Sequence, residues 1–293
     1  MNKVRVMFQA GGSSGLAVMF CLILLHASQV YGVQVPVNQP GLTITAPTAV
    51  QGLITRTHRL EETVSYEQLS PDSLYGSRKD VVIDLFTFNK PGFVWFAELG
   101  MFRRQEGDGV QGGIGGYRDW SPRVYTYSSI SAGTVVDYLP KLRLDTDFNV
   151  KLGHVKNIVA TLGVSYITYH IPYEDLLLSA AGTYYGAGWL CGYRIFQNKS
   201  EPGSVVTYSH QLSAAVGAEG KQWTYLTISH GITGYTATTV FPSQEVRNNV
   251  DSFDLRHRHW LTARMGLMGG AQCITMKDGY DDLRASVGSF FEF

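Results

Sequence analysis

Two dipeptides in the chain place a serine beside a histidine, Ser209-His210 and Ser229-His230. A serine hydroxyl bonded to an imidazole is the nucleophile–base pair of acyl-transfer chemistry, the kind that an enzyme acting on lipid or lipopolysaccharide would use. Adjacent residues of a strand point to opposite faces, so neither dipeptide forms that pair unless a cross-strand partner supplies the missing group. His257-Arg258-His259 sets two imidazoles on one side of a strand, the spacing of a metal-ligand pair. No third ligand stands near, and the segment reads more simply as a rim turn rich in titratable side chains. The run Gly112-Gly113-Ile114-Gly115-Gly116 lacks the lysine and following helix of a phosphate loop. Its glycines suit a wall that bends sharply. No catalytic residue, metal or cofactor is expected.

The charged residues form a clearer pattern. In Lys141 to Leu152 the odd positions are Lys141, Arg143, Asp145, Asp147, Asn149 and Lys151; the even ones are Leu142, Leu144, Thr146, Phe148, Val150 and Leu152. One face is polar and the other almost wholly apolar for twelve residues, the period of a strand and not of a helix. Phe93 to Met101, Ala187 to Ile195 and Ile158 to Tyr166 alternate in the same way, with Glu98 and Arg194 opposed to their apolar sets. If the apolar face meets lipid, the charges must face a lumen, because charge near the membrane midplane costs ~2–4 kcal/mol. Glu98, Lys141, Arg143, Asp145, Asp147, Lys151, Arg194, Asp254, Arg256, Arg258, Arg264 and Arg284 are the expected lumen set. Two roles stand side by side for them: a ladder of both signs lining a hydrated pore, or ion pairs that plug the interior.

These strands need a wall to hold them. Turn clusters recur along the chain at Asn89-Lys90-Pro91-Gly92, Glu106-Gly107-Asp108-Gly109, Asp119-Trp120-Ser121-Pro122, Gly153-His154, Asn198 to Gly203, Ala218-Glu219-Gly220-Lys221 and Lys277-Asp278-Gly279. Even punctuation with no helical stretch between means consecutive antiparallel hairpins. Segments of ten or more residues exceed sandwich strands and match the ~9–11 residues of a tilted membrane strand. Phe93, Trp120, Tyr166, Tyr169, Tyr173, Tyr184 and Tyr185 sit near segment ends, where girdles at the bilayer interfaces belong. The fold expected is all-β: one transmembrane antiparallel barrel of about 12–14 strands over residues 56–293, with Thr233 to Val250 as an extracellular loop.

Composition agrees. Charged residues make up 16% of the 293-residue chain, below the roughly 25% usual in soluble proteins, while Gly (32) and Tyr (17) are plentiful. The formal charge of zero argues against a nucleic-acid partner. At the N-terminus, Lys3 and Arg5 precede the apolar run Leu16 to Leu25, and Val30-Tyr31-Gly32 offers a cleavage site, as in an export signal covering residues 1–32. Residues 33–55, with Pro36, Pro40 and Pro47, read as an extended periplasmic segment. Cys191 falls on an apolar face, which disfavours a disulfide with Cys273. The final segment alternates Leu283, Ala285, Val287, Phe291 and Phe293 with Arg284, Ser286, Gly288 and Glu292. It resembles the C-terminal signal that the outer-membrane barrel-assembly machinery recognises, with Phe291 and Phe293 carrying it.

Several segments resemble the YaiO-type outer-membrane barrel family: Tyr117-Arg118-Asp119-Trp120, Tyr138-Leu139-Pro140 leading to Leu144-Asp145, Gly163-Val164-Ser165-Tyr166, Tyr184-Tyr185-Gly186, Tyr193-Arg194-Ile195-Phe196, Ser209-His210-Gln211-Leu212-Ser213 and Ile228-Ser229-His230-Gly231. The likeness runs from about Arg56 to Phe293. It implies a bacterial outer-membrane location, with lipid and lipopolysaccharide around the wall, and no defined chemistry. Some members carry helical repeats before the barrel and lie near polysaccharide-synthesis proteins; this chain lacks the repeats. The function expected is a channel or export component, with periplasmic export proteins as candidate partners. A barrel enzyme acting on lipid and a closed scaffold are the alternatives.

Overall fold

The computed structural model describes residues 57–71, 76–90, 92–237, 243–277 and 279–293. The expected export signal and periplasmic segment, residues 1–32 and 33–55, lie outside them. Among the described residues every regular element is a strand: β1 (His58–Ser70), β2 (Ser77–Lys90), β3 (Phe93–Arg104), β4 (Gly107–Asp119), β5 (Val124–Gly133), β6 (Pro140–Leu152) and β7 (Ile158–Tyr169), then β8 (Glu174–Gly186), β9 (Trp189–Glu201), β10 (Val205–Ala218), β11 (Gln222–Ala237), β12 (Gln244–Trp260), β13 (Met265–Met276) and β14 (Asp281–Glu292). Each pairs antiparallel with its sequence neighbours, and β14 pairs with β1, so the sheet is a closed barrel of fourteen strands. Closure leaves no unpaired sheet edge, the condition a β-structure must meet in lipid.

The alternation explains which way each strand faces. On β6, Leu144, Phe148 and Leu152 are exposed on the outer wall, while Arg143, Asp145 and Asp147 turn inward and are half-buried. Leu162 on β7 and Val287 on β14 are 65% and 69% exposed, facing out. An outer wall this apolar belongs in a bilayer. The rim holding His58 and Glu292 is called lower here, the opposite one upper. Outward aromatics gather at both: Phe93, Trp95, Trp120, Tyr184 and Trp189 below, Tyr66, Tyr166 and Tyr208 above.

The structure corrects the sequence at four places. Thr233 to Val250 is mostly strand, because β11 runs to Ala237 and β12 starts at Gln244. A further turn at Ala187-Gly188 separates β8 from β9, with Gly188 at φ +78°, a conformation that costs glycine little. Tyr185 lies on the inward parity of β8, and Tyr169 turns in to donate to Asp175 at 3.3 Å, so neither joins a girdle. Tyr173 sits in the β7–β8 loop and bonds to Thr236. Cys191 and Cys273 are both free and exposed, on strands β9 and β13.

Candidate functional site in the barrel lumen

Adjacent strands stand ~4.8 Å apart, so side chains on strands two or three apart can meet only across the concave inner face. Three arginine pairs do so. Arg194 of β9 grips Asp147 of β6 with two bonds of 2.6 and 3.1 Å. Arg258 of β12 reaches Glu61 of β1 at 2.6 Å. Arg284 of β14 passes over β1 to Asp80 of β2 while also contacting Glu67. These bonds place the participating residues in the lumen.

The other expected lumen residues distribute as follows. Arg143 holds Asp145, two residues along β6, through two bonds of 2.7 Å, and Ser129 donates to the same carboxylate. Asp254 is buried and accepts from Arg256 at 2.7 Å. Lys151, near the lower rim, stands 3.9 Å from Asp119 and 5.0 Å from the Tyr125 ring centre. Glu98 lies directly across from Asp84 of β2, itself across from Glu61 of β1. Two residues fall elsewhere. Lys141 is the extra residue of a bulge between Pro140 and Leu142, which leaves it exposed at the upper rim. Arg264 lies in the exposed turn between β12 and β13, below the wall.

Sequence reasoning missed half of the charge lining. Arg59, Glu61, Glu67, Asp80, Arg104, Asp282 and Glu292 are all buried. On β1 the signal was available, since Arg59, Glu61, Ser65 and Glu67 alternate with Leu60, Val64 and Tyr66; Glu62, outward and bonded to Ser289, interrupts it. On β2 the run Val81-Val82-Ile83 hides the period.

The inner face is layered. Near the lower rim Phe86, Phe96, Val159, Leu190, Ala215, Trp223, Trp260 and Phe290 are buried, each 7% exposed or less, and form a collar. Phe290 meets Trp260 edge-on at 4.9 Å, and the Arg59 and Arg258 guanidiniums lie over the Phe86 and Phe290 rings. Near the upper rim Leu69, Leu139, Ile167, Leu177, Val205 and Met276 form a second buried collar. Leu139 comes from the β5–β6 loop, which tucks inward. A Cβ on Gly109 would lie 2.7 Å from Leu139 and one on Gly133 would lie 2.8 Å from it. In the same loop Tyr138 donates to the Gly107 carbonyl at 2.9 Å and lies under the Arg104 guanidinium. Burial raises the pKa of the Tyr138 hydroxyl, and that of Tyr280 in the β13–β14 turn to about 12, so both stay neutral.

Between the collars one sector of the inner face, beside the charged residues above, carries small and mostly hydroxylated side chains: Ser129, Ser131, Gly163, Ser165, Ser179, Ala181, Ser209, Ser213 and Thr227. All are half-buried, so the middle of the barrel is not filled by side chains on this side. A cavity of about 90 Å³ opens from this chamber, lined by Tyr117, Tyr125, Tyr127, Tyr185, Asp147 and Arg194.

The four histidines singled out in the sequence stay outside. His210 and His230 stand opposite one another on the outer face, bonded to Tyr193 and Asp251, both at 2.7 Å. Ser209 and Ser229 turn inward, and Ser229 bonds to Ser252. His257 and His259 stack on the outer wall at the lower rim. Among the described residues no three His, Cys, Asp or Glu gather as metal ligands.

Comparison with known proteins adds a family. The pattern of the YaiO membrane beta barrel domain matches residues 58–236. No curated protein matches the chain. Similar solved structures include the outer membrane protein Omp33 of Acinetobacter baumannii, with 10% identity, TM-score 0.47, and coverage of 81% of this chain and 98% of that one. The COG4313 outer membrane channel of Pseudomonas putida F1 has 12% identity and TM-score 0.48, covering 85% and 99%. The anion-selective porin of Comamonas acidovorans has 11% identity and TM-score 0.42, covering 82% and 99%.

Proposed function

Because the chain belongs to the YaiO membrane β-barrel family, we propose that it is a non-enzymatic outer-membrane channel, closed at rest, that passes small hydrophilic solutes without net charge. The hydroxyl-lined chamber between two buried collars supports this most directly. A barrel serving only as a scaffold gains from filling its interior; here small side chains leave part of the middle unfilled. Arg143 and Arg194, the cations nearest the chamber, are matched by Asp145 and Asp147, so no bare positive charge faces it there. An even strand number sets the lower rim toward the periplasm. In this reading Phe291 on β14 and Phe293 just beyond it, both exposed with rings 5.8 Å apart, are what the assembly machinery recognises. Lipopolysaccharide surrounds the upper wall, and periplasmic export proteins would dock below. Export of a sugar polymer would require both collars to part.

A second reading, a closed scaffold, draws support from the ion pairs between strands two or three apart, which brace the inner face of the wall. Planar-bilayer conductance separates the two. Refolded protein should give rare, small steps, and Leu139→Ala combined with Trp223→Ala and Trp260→Ala should enlarge them and make them frequent. Silence from both proteins, each shown to be folded by its mobility on unheated gels, would sink the channel reading and leave the scaffold.

A further inference from the structure

Pairing between β10 and β11 stops at Ser209 and Gly231, whereas β11 continues to Ala237, paired only with β12. The arm beyond Gly231 bends inward. A Cβ on Gly234 would lie 3.0 Å from Val205 and from Thr207, whose inward-facing side chains are each 2% exposed. Further out, Thr236 lies against Gly203 of the β9–β10 turn. Tyr173, in the β7–β8 loop, donates its hydroxyl to the Thr236 carbonyl at 3.2 Å and meets the Tyr235 ring edge-on at 6.2 Å. On the returning arm, Arg247 donates to the Val206 carbonyl at 2.8 Å. The described arms of the hairpin therefore lie along the inner side of the upper rim, from β10 to the β7–β8 loop.

We propose that this arm is a strap that shuts the upper mouth and is released, at Gly231, to open it; the proposal rests on the channel reading. Its attachment differs in kind from the wall. Neighbouring wall strands share a continuous backbone ladder, whereas the strap meets the β7–β10 rim through isolated side-chain contacts. Segments held by few contacts open locally long before the whole fold does. The strap closes on the rim through a tyrosine, a backbone carbonyl and an arginine whose charge is matched by Glu245 beside it. Its release consequently needs no buried charge to be stripped of its partner. The arm also covers the wall beside the chamber, since Val205 and Ser209 lie on the same inward face of β10.

The test uses the collar-widened protein described above, into which Tyr173→Ala is introduced. Loss of one hydrogen bond and one aromatic edge contact should raise the open probability roughly tenfold. As a converse, Tyr173→Cys and Tyr235→Cys are placed in a chain whose native cysteines are serine and joined with a short bis-maleimide; bridging should abolish conductance. A readout independent of current is the labelling rate of Ser213→Cys, in the chamber, by a water-soluble maleimide on otherwise unwidened protein. Tyr173→Ala should speed it by a similar factor, and bridging should slow it. If the collar-widened protein conducts but neither current nor labelling responds to Tyr173→Ala or to the bridge, the strap is overturned and the channel reading stands. If the collar-widened protein is silent and labelling does not respond, both fall.

Discussion

Gly163→Ala should weaken the barrel through a bond that Gly163 does not itself make. Gly163 lies on β7, opposite Asp147 of β6 on one side and Ser179 of β8 on the other. The Arg194 guanidinium passes over it to reach Asp147, and it also donates to Ser179 at 2.7 Å. A methyl group at Gly163 would lie 2.2 Å from Asp147 Oδ1, 2.4 Å from Arg194 Nη2 and 2.6 Å from Ser179 Oγ. All three cannot stay, so the bidentate pair must break or tilt away. Hydrogen bonds to charged groups contribute about 1.5–3 kcal/mol each, and the two side chains are only 14% and 21% exposed. Water in the chamber resolvates part of the separated charge, which brings the expected loss to about 2–4 kcal/mol. The assay is the urea midpoint of folding into lipid vesicles, read by gel mobility and tryptophan fluorescence. The same substitution in an Asp147→Asn, Arg194→Gln background should cost less than about 1 kcal/mol, because the coupling it disrupts is already gone. A wild-type-like midpoint for Gly163→Ala, or an equal loss in both backgrounds, would refute the reasoning.

Other outcomes follow from the same wall. Leu162→Arg, 65% exposed toward lipid, should cost about 2–4 kcal/mol, measured by the same midpoint; a change below about 0.5 kcal/mol would mean that this face is not in the hydrocarbon. Phe291→Ala with Phe293→Ala should lower the amount of barrel assembled in cells while leaving folding into vesicles nearly unchanged; equal loss in both settings would make these rings structural and not a signal. In protein unfolded in denaturant without reductant, both Cys191 and Cys273 should react with a maleimide, and mass spectrometry that finds them linked would contradict their outward placement on β9 and β13.

The barrel itself was legible because its physics is local. On β6, twelve residues of alternation declare both faces, and lipid on one side forces charge to the other. The lumen was less legible because its bonds are made by closure. Nothing in the spacing of Asp147 and Arg194 announces a contact across two intervening strands. Lys141 shares the parity of Arg143 yet faces out, since the bulge after Pro140 shifts the register by one residue. Arg264 was assigned inward, but the wall ends at Trp260 and resumes at Met265. The strap was read as a loop because Gly231, Gly234 and the threonines around them carry no two-residue apolar period. Its strand character comes from pairing with β12 alone. Tyr169 and Tyr185 turn inward although a girdle is expected there, since a tyrosine near a strand end suits either face until its parity is fixed.

The junction of β1 with β14 sets the order in which the molecule can be made. Thr57 and His58 donate backbone bonds to the carbonyl of Phe293, residues 236 apart in sequence at the widest. Every other hairpin can zip as soon as its two strands exist, but this seam waits for the last strand to arrive. It is the pairing of greatest sequence separation, and hence the slowest to find by chain diffusion. Until it forms, β1 and β14 each present a bare edge of donors and acceptors that any stray strand could occupy. A truncation that removes β14 would therefore leave a thirteen-stranded sheet with two live edges, prone to recruit its own kind, and not a slightly narrower tube.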